Sequence, residues 1–162
     1  MLLPVKQTGK SAEEIYQEFN KKSGLLAISG VSNDTRDVEK AALEGNERAE
    51  LSIKMFARRV ADYIGQYYVR LGGCDLIVFS AGIGENSAHT RREVLDGLAV
   101  LGIKIDEEAN DCRGVERLIT TEDSSIPCYI IPTNEELMIA RDTYLVYQSK
   151  EKEKELEANE II

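Results

Sequence analysis

The sequence predicts an α/β or mixed α+β fold in which helices cover a β-sheet. Short apolar runs, the clearest being DLIVF at 75–79, alternate with longer segments of helical periodicity, which is the pattern of strands covered by helices. Apolar residues between Ala49 and Leu71 recur at spacings of 4, 3, 4, 4, 3 and 4, which place them on one face of a long helix. The 162 residues, 43% hydrophobic and 30% charged, are enough for one folded domain with a proper core.

Capping residues mark the helix boundaries. Ser11 and Glu14 have capping-box spacing and Gly24 stands where a helix ends, so a helix is predicted over 11–22. The same reasoning predicts a helix from near Asp34 to the Gly45-Asn46 break and a second one over 49–71, which ends at Gly72-Gly73. A helix over 88–101 and a helical turn at 107–112 follow. The last predicted helix spans 134–148 behind a Thr133 or Asn134 cap and continues into a charged, fraying end at 149–160.

Five short apolar runs are predicted to be strands. LLAIS at 25–29 ends at Gly30 and is interpreted as a buried strand, and DLIVF is apolar enough for a strand covered on both faces. The other predicted strands are 103–105, 117–121 and 128–132, with a loop at 122–127.

Charge and cysteine content exclude several classes of function. The net charge of −9 argues against non-specific binding to nucleic acid or to anionic membranes, because both need a positive field. No apolar run approaches the roughly 20 residues of a membrane span. The three cysteines lie far apart and form no CxxC pair, so a disulfide framework or structural zinc site is not expected and reduced thiols in the cytoplasm are the default.

A glycine-rich segment between a strand and a helix, SAGIGENS at 80–87, is the first candidate site. Gly82 and Gly84 permit a sharp turn and a close approach of a ligand to the main chain. The free N–H groups of the next helix favour an anion such as phosphate, and Asn86 can offer an amide to a base or ribose. The alternative is a tight turn without a ligand.

The same segment is close to the dinucleotide fingerprint, but two positions disagree with it. Ser87 stands where the third glycine belongs, and Glu85 puts a negative charge where pyrophosphate would lie. A nicotinamide-binding domain also normally begins with this unit, whereas here it starts at residue 75. That class is therefore a weaker hypothesis.

Two other polar segments are candidate sites, and each has a structural alternative. In 32–37, Arg36 could pair with phosphate or stack on a base, and Asp34 could accept from a ribose hydroxyl or an amine. Alternatively, Asp34 caps the helix and Arg36 pairs with Asp37 or Glu39. Glu135 and Glu136 open a helix after a strand and could hold Mg²⁺, although acidic residues also favour a first helical turn. His89 is interpreted as a surface residue.

Four stretches taken together resemble the C-terminal part of the acetate kinase family. The matching stretches, in the family's order and spacing, are KKSGLLAISGVSNDTRD (21–37), GNERAELSIKMF (45–56), DLIVFSAGIGENS (75–87) and IPTNEELMIARDT (131–143). The resemblance covers about 12–147. It implies part of an α/β, ribonuclease H-like domain of the sugar kinase, Hsp70 and actin superfamily, with a mixed sheet flanked by helices. It further implies a cytoplasmic phosphotransferase that makes acetyl phosphate and ADP from acetate and ATP with Mg²⁺.

The resemblance assigns roles only to residues that match the family's motifs. It places Asp34, Thr35 and Arg36 on one adenosine-contacting segment. The second such segment consists of Gly82, Ile83, Gly84, Glu85 and Asn86. Glu135 falls on the glutamate that the family assigns to Mg²⁺. The implied organisation is a C-terminal nucleotide-binding portion at 1–148 and a charged tail at 149–162.

The resemblance also implies what this chain lacks. Family members are about two and a half times as long, and their phosphate strand, acetate pocket, catalytic aspartate and phosphoryl-stabilising histidine and arginine have no counterpart here. Because phosphoryl transfer depends on such positioning, the chain alone is expected to be inactive, with no catalytic residue of its own. An uncovered edge strand is expected, and with it a homodimer or a separately encoded N-terminal half as partner. The alternative function is a non-catalytic, oligomerising interaction module.

Overall fold

The computed structural model describes residues 7–159, with side chains described through residue 152. The chain divides into two compact units, Met1–Ile131 and Pro132–Ile162. The first unit holds the sheet and most of the helices. The second consists of one long helix and the residues that lead into it.

The first two helices confirm one prediction and overturn another. Helix α1, Ala12–Lys21, begins with the predicted capping box, because Ser11 Oγ accepts from the Glu14 amide and Glu14 accepts from the Ser11 amide. The strand predicted at 25–29 is wrong: these residues form helix α2, Gly24–Ser29, which ends at Gly30 with φ of 71°. The Arg48 guanidinium donates to the carbonyls of Ile28 and Ala27 at 2.8 and 3.2 Å, so a residue 20 positions away stabilises the end of this helix.

Helices α3 and α4 lie where the sequence predicts helices, and a side chain caps the start of each. Helix α3 spans Thr35–Leu43 behind the Asp34 cap, and α4 spans Glu47–Leu71 behind Asn46, whose side chain accepts from two backbone amides. Gly72, with φ of 74°, ends α4 as predicted. The two helices pack on each other around a small apolar cluster: Val38, Ala49 and Ile53.

The sheet is mixed, as predicted, and its middle strand pairs with one strand on each side. Strand β1, Ile77–Phe79, runs parallel to β3, Cys128–Ile130, and β2, Arg117–Leu118, runs antiparallel to β3. The predicted strand at 103–105 contributes only an isolated bridge, Ile105 to Thr120. In the described part of the chain, β3 is the only strand that pairs with β1.

Two predictions around β1 need correction. Val78 is 42% exposed while its neighbours are buried, so β1 is covered on one face and not on both. The segment 80–87 is not a simple turn, because it contains the short helix α5, Ala81–Asn86. The helix predicted over 88–101 is divided into α6, Ala88–Asp96, and a 3₁₀ turn, Ala99–Leu101.

Helices α4 and α6 cover one face of the sheet and form the main core with it. Gly97, directly after α6, lies close to α4, since a Cβ there would be 3.1 Å from Ala61 Cβ. Helix α7, Glu107–Asn110, leads into a loop before β2. The buried core side chains come from these elements and include Ala57, Ala61, Ile77, Phe79, Val94, Leu98, Ile119 and Ile130.

The second unit contains α8, Glu135–Asn159, which is longer than the predicted 134–148 helix. The Asn134 side chain accepts from the Leu137 amide at 3.0 Å, so one of the two predicted caps is confirmed. No helix among the described residues has the length and apolar character needed to cross a membrane.

Candidate functional site

A cavity of about 500 Å³ brings together the two segments that the sequence singles out. This volume is within the usual range for small-molecule sites. One wall comes from the start of α3 and the other from α5. Six of the eight predicted adenosine-contacting residues line it: Asp34, Thr35, Arg36, Gly82, Ile83 and Asn86.

Asp34 and Arg36 form an ion pair at the N-terminus of α3. Asp34 Oδ1 accepts from the Arg36 amide at 2.9 Å and from Arg36 Nε at 3.0 Å, and Oδ2 accepts from Arg36 Nη2 at 2.5 Å. The Arg36 hydrogen bonds lower the pKa of Asp34 to about 2. Asp34 therefore caps the helix, as the structural alternative required, and also presents an ionised acceptor to the cavity. Arg36 pairs with Asp34 and not with a later carboxylate.

The two glycines of α5 have different surroundings. A Cβ on Gly82 would meet nothing within 4 Å, so packing does not require glycine there. A Cβ on Gly84 would lie 3.3 Å from the carbonyl carbon of Phe79, so Gly84 lets α5 approach the end of β1. Gly84 lies outside the cavity lining, and its role in the structure is to position the helix that carries Gly82 and Asn86.

Glu85 also lies outside the cavity lining and serves the turn itself. Its Oε1 accepts from the Ala81 amide at 2.7 Å, and Ala81 has a φ of 59°, which is unusual for a residue with a Cβ. The carboxylate therefore occupies a backbone donor that a phosphate would otherwise use. This contact weighs against the dinucleotide-binding alternative.

Three further residues, which the sequence reasoning did not select as site residues, line the cavity: Glu39, Ser87 and Arg113. Ser87 Oγ donates to Glu39 Oε1 and accepts from the Thr90 amide, so it joins α3 to the start of α6 across one side of the cavity. Its position directly before α6 identifies it as a helix cap, which is a signal present in the sequence. Glu39 gives no such signal.

Arg91 is fully buried and organises the loops beneath the cavity, with 0% of its surface exposed. Its guanidinium donates to the carbonyls of Gly84 at 2.9 Å, Asn110 at 2.7 Å and Cys112 at 2.8 Å, and to Asn110 Oδ1 at 2.8 Å. Burial lowers the pKa of Arg91. The sequence shows only two consecutive arginines on a helix, which is typical of a solvated surface, so it gives no sign of this role.

Glu135, the predicted Mg²⁺ residue, is the first residue of α8 and belongs to the second unit. It is exposed and borders a shallow surface pocket within that unit together with Asp142. An accessible carboxylate of this kind is a suitable ligand for a hard divalent cation.

A different group of possible metal ligands lies between α4 and α6, where ligand atoms of Glu50, His89 and Glu93 lie within 4.8 Å of one another. His89 Nε2 is 3.4 Å from Glu50 Oε2, and Lys54 already pairs with Glu50 at 3.1 Å. The other ring nitrogen, Nδ1, is buried without a hydrogen-bond partner, whereas a metal-bound histidine normally donates through it. His89 is thus half-buried among charged neighbours and not the surface residue that was predicted.

Solved structures define the class of protein to which this fold belongs. An acetate kinase from Porphyromonas gingivalis superposes with a TM-score of 0.78 at 39% identity, over 90% of this chain and 37% of that one. A propionate kinase from Francisella tularensis gives 0.75 at 40% identity, over 84% and 34%. The fold is therefore that of the acetate kinases, which is the actin and Hsp70 type.

The family follows from sequence comparison. The model of the Acetokinase family matches residues 1–141, and the chain belongs to this family. The acetate kinase of Methanosarcina barkeri is 55% identical over 142 residues, and that of Shouchella clausii is 52% identical over 139 residues. These alignments cover 88% and 86% of this chain but 35% of each relative, so the chain spans about a third of the length of the curated relatives it matches.

Proposed function

We propose that this chain supplies the adenosine-binding part of an acetate kinase, which transfers a phosphoryl group from ATP to acetate and yields acetyl phosphate and ADP. The observation that carries the proposal is the single cavity lined by six of the eight residues chosen from the sequence. The curated relatives, at about 50% identity, are acetate kinases. One solved neighbour is a propionate kinase, so the acceptor is proposed as a small carboxylate, with acetate as the first choice.

Each cavity residue has a chemical role in this proposal. The space in front of Gly82 allows adenosine to lie against the main chain. The Asn86 amide is held in place by donating to the Gly82 carbonyl at 2.9 Å. Asp34, ionised at neutral pH, accepts hydrogen bonds from ribose hydroxyls. Arg36 presents its planar guanidinium at the rim.

Glu135 is proposed to bind Mg²⁺, directly or through water. When bound, Mg²⁺ neutralises charge on the phosphate oxygens. The exposed carboxylate at the start of α8 fits this role, because Mg²⁺ prefers oxygen ligands and retains several waters.

The chain alone is proposed to lack acetate kinase activity. It spans about a third of the length of its relatives, and we propose that the groups which orient acetate and stabilise the transferred phosphoryl lie in the part of those relatives that it does not span. The proposed partner is a second copy or an N-terminal half. Among the described residues, no strand pairs with the second edge of β1, and Leu76 just before β1 and Val78 within it are exposed; both features support such an association. The three free cysteines are compatible with the reducing cytoplasm.

The second candidate is a non-catalytic module that keeps the fold and serves in association. The exposed apolar side chains of α8 favour it, including Leu137, Met138, Ile139, Tyr144 and Leu145. Nucleotide binding distinguishes the two functions, because only the first requires a working adenosine site.

Calorimetric titration of the 162-residue chain with ADP tests the proposal. We expect saturable binding that Arg36→Ala weakens about 10-fold to 100-fold, since a hydrogen bond from a charged donor contributes about 1.5–3 kcal/mol. Arg70→Ala is the matched control, because Arg70 is an exposed arginine in the last turn of α4. Absence of ADP binding would contradict the proposal and leave the interaction module, whereas preference for NAD over ADP would favour a dinucleotide site. Sustained acetyl phosphate formation would contradict the predicted inactivity.

A further inference from the structure

Arg113 is the one cavity-lining cation that the sequence motifs do not include. It follows α7 and is among the residues that line the cavity. Arg36 is engaged by Asp34, but no side chain in the described part of the chain forms a hydrogen bond or ion pair with the Arg113 guanidinium. An unpaired, planar cation facing a cavity is available for a ligand.

The backbone on both sides of Arg113 is fixed against the wall that carries α5. On one side, the Cys112 carbonyl accepts from buried Arg91 at 2.8 Å. On the other side, the Gly114 amide donates to the Glu85 carbonyl at 3.1 Å. Gly114 has a φ of 60° and lies beside Asn86, whose Oδ1 is 3.7 Å from the position of a Cβ. Arg113 is therefore held next to the residues proposed to bind adenosine, and its position does not depend on a free loop.

The charges that line the cavity indicate which kind of ligand group Arg113 would contact. The lining contains two carboxylates, Asp34 and Glu39, and two guanidiniums, Arg36 and Arg113, so their charges balance. Asp34 is paired with Arg36, and Glu39 accepts from Ser87. A balanced lining of this kind is not suited to concentrate phosphates, which favour a net positive site. It is suited to an uncharged, aromatic ligand face, on which a guanidinium stacks well.

We propose that Arg113 is an additional binding residue of this site, and that its guanidinium stacks on the purine face of the bound nucleotide. The proposal rests on the proposed adenosine site and adds to it the residue that covers the base. Arg91 acts through Arg113 as a positioning residue, because its hydrogen bond to Cys112 fixes the loop.

Binding of two ligands, adenosine and ADP, tests this role in the 162-residue chain. A stacking contact of about 0.5–2 kcal/mol predicts that Arg113→Ala weakens both ligands by the same factor, between about 2-fold and 30-fold. Arg113→Lys is expected to recover only part of the loss, since it keeps the charge without the planar group. Arg117→Ala, which removes an exposed arginine four residues away on β2, should leave both affinities unchanged. The midpoint of thermal unfolding should be the same in all variants.

The outcomes separate this inference from the function on which it rests. If the unmodified chain binds adenosine and ADP and Arg113→Ala binds both equally well, the stacking role is wrong while the adenosine site stands. A loss confined to ADP would overturn stacking in favour of a phosphate contact. If the unmodified chain binds neither ligand, the proposed site itself fails, and the role of Arg113 fails with it.

Discussion

Replacing Arg91 by alanine should destabilise the protein far more than any exposed arginine does. Arg91 is fully buried and donates four hydrogen bonds to three backbone carbonyls and one side-chain amide oxygen. It holds together the end of α5, the end of α7 and the loop that carries Arg113. Its removal leaves a cavity and several buried acceptors without donors.

The size of the effect can be estimated from these contacts. A buried polar group left without its partner costs about 1–3 kcal/mol, and four such acceptors would give a larger total if the costs were additive. They are not additive, because neighbouring groups share partners and water can enter the space. We therefore expect a loss of about 3–5 kcal/mol in the free energy of unfolding, which is the range for breaking a buried charged network.

Urea denaturation followed by circular dichroism measures this loss. The control is Arg92→Ala, because Arg92 is the next residue on the same helix and forms a half-exposed ion pair with Glu107; such pairs contribute up to about 1 kcal/mol. Arg91→Lys should be nearly as harmful as Arg91→Ala, since one ammonium cannot reach all four acceptors. The reasoning would be refuted if Arg91→Ala cost no more than Arg92→Ala.

Three further predictions concern the glycines, Asp34 and Cys128. Gly84→Ala should lower the free energy of unfolding by about 1–3 kcal/mol, because its Cβ would lie 3.3 Å from the β1 backbone. Gly82→Ala should leave this free energy unchanged, as chemical denaturation would show, and should weaken ADP binding measured by calorimetry. Equal losses of stability in the two variants would contradict the different roles of the two glycines. NMR titration should place the pKa of Asp34 near 2, and Arg36→Ala should raise this pKa toward 3.8. Because the pKa of Asp34 is lower in the folded protein, the stabilisation from this ion pair is present above about pH 4 and is lost as pH falls toward 2. If the pKa of Asp34 is the same in Arg36→Ala as in the unmodified protein, the pairing is refuted. Burial raises the pKa of Cys128 to about 12, so native protein at pH 8 should resist alkylation at this thiol until it is unfolded, and rapid native labelling seen by mass spectrometry would contradict its burial.

Elements that have local signals were predicted correctly. The capping box of α1, the Asp34 cap of α3, the end of α4 at Gly72 and the mixed sheet all agree with the sequence reasoning. Residues 25–29 were predicted incorrectly, because four consecutive apolar residues followed by a serine have no period that separates a strand from a buried helix. In the structure this segment packs against α4, and the Arg48 guanidinium donates to the carbonyls at its end, so long-range contacts stabilise the helix.

The candidate site was predicted in part. Six of the eight proposed adenosine residues share one cavity, while Gly84 and Glu85 shape the turn behind it. Binding by any of them is still a prediction. Arg91 and Arg113 were missed because an arginine buried beneath a loop and an arginine at its rim look alike in a sequence.

The sequence by itself determined the family, the order of most helices and strands, and the two segments at the cavity, since motifs, caps and periodicity are carried by neighbouring residues. Only the tertiary structure decided that these two segments face each other and that one arginine is buried. It also decided that the loop after α7 joins them, because these features depend on contacts between residues far apart along the chain.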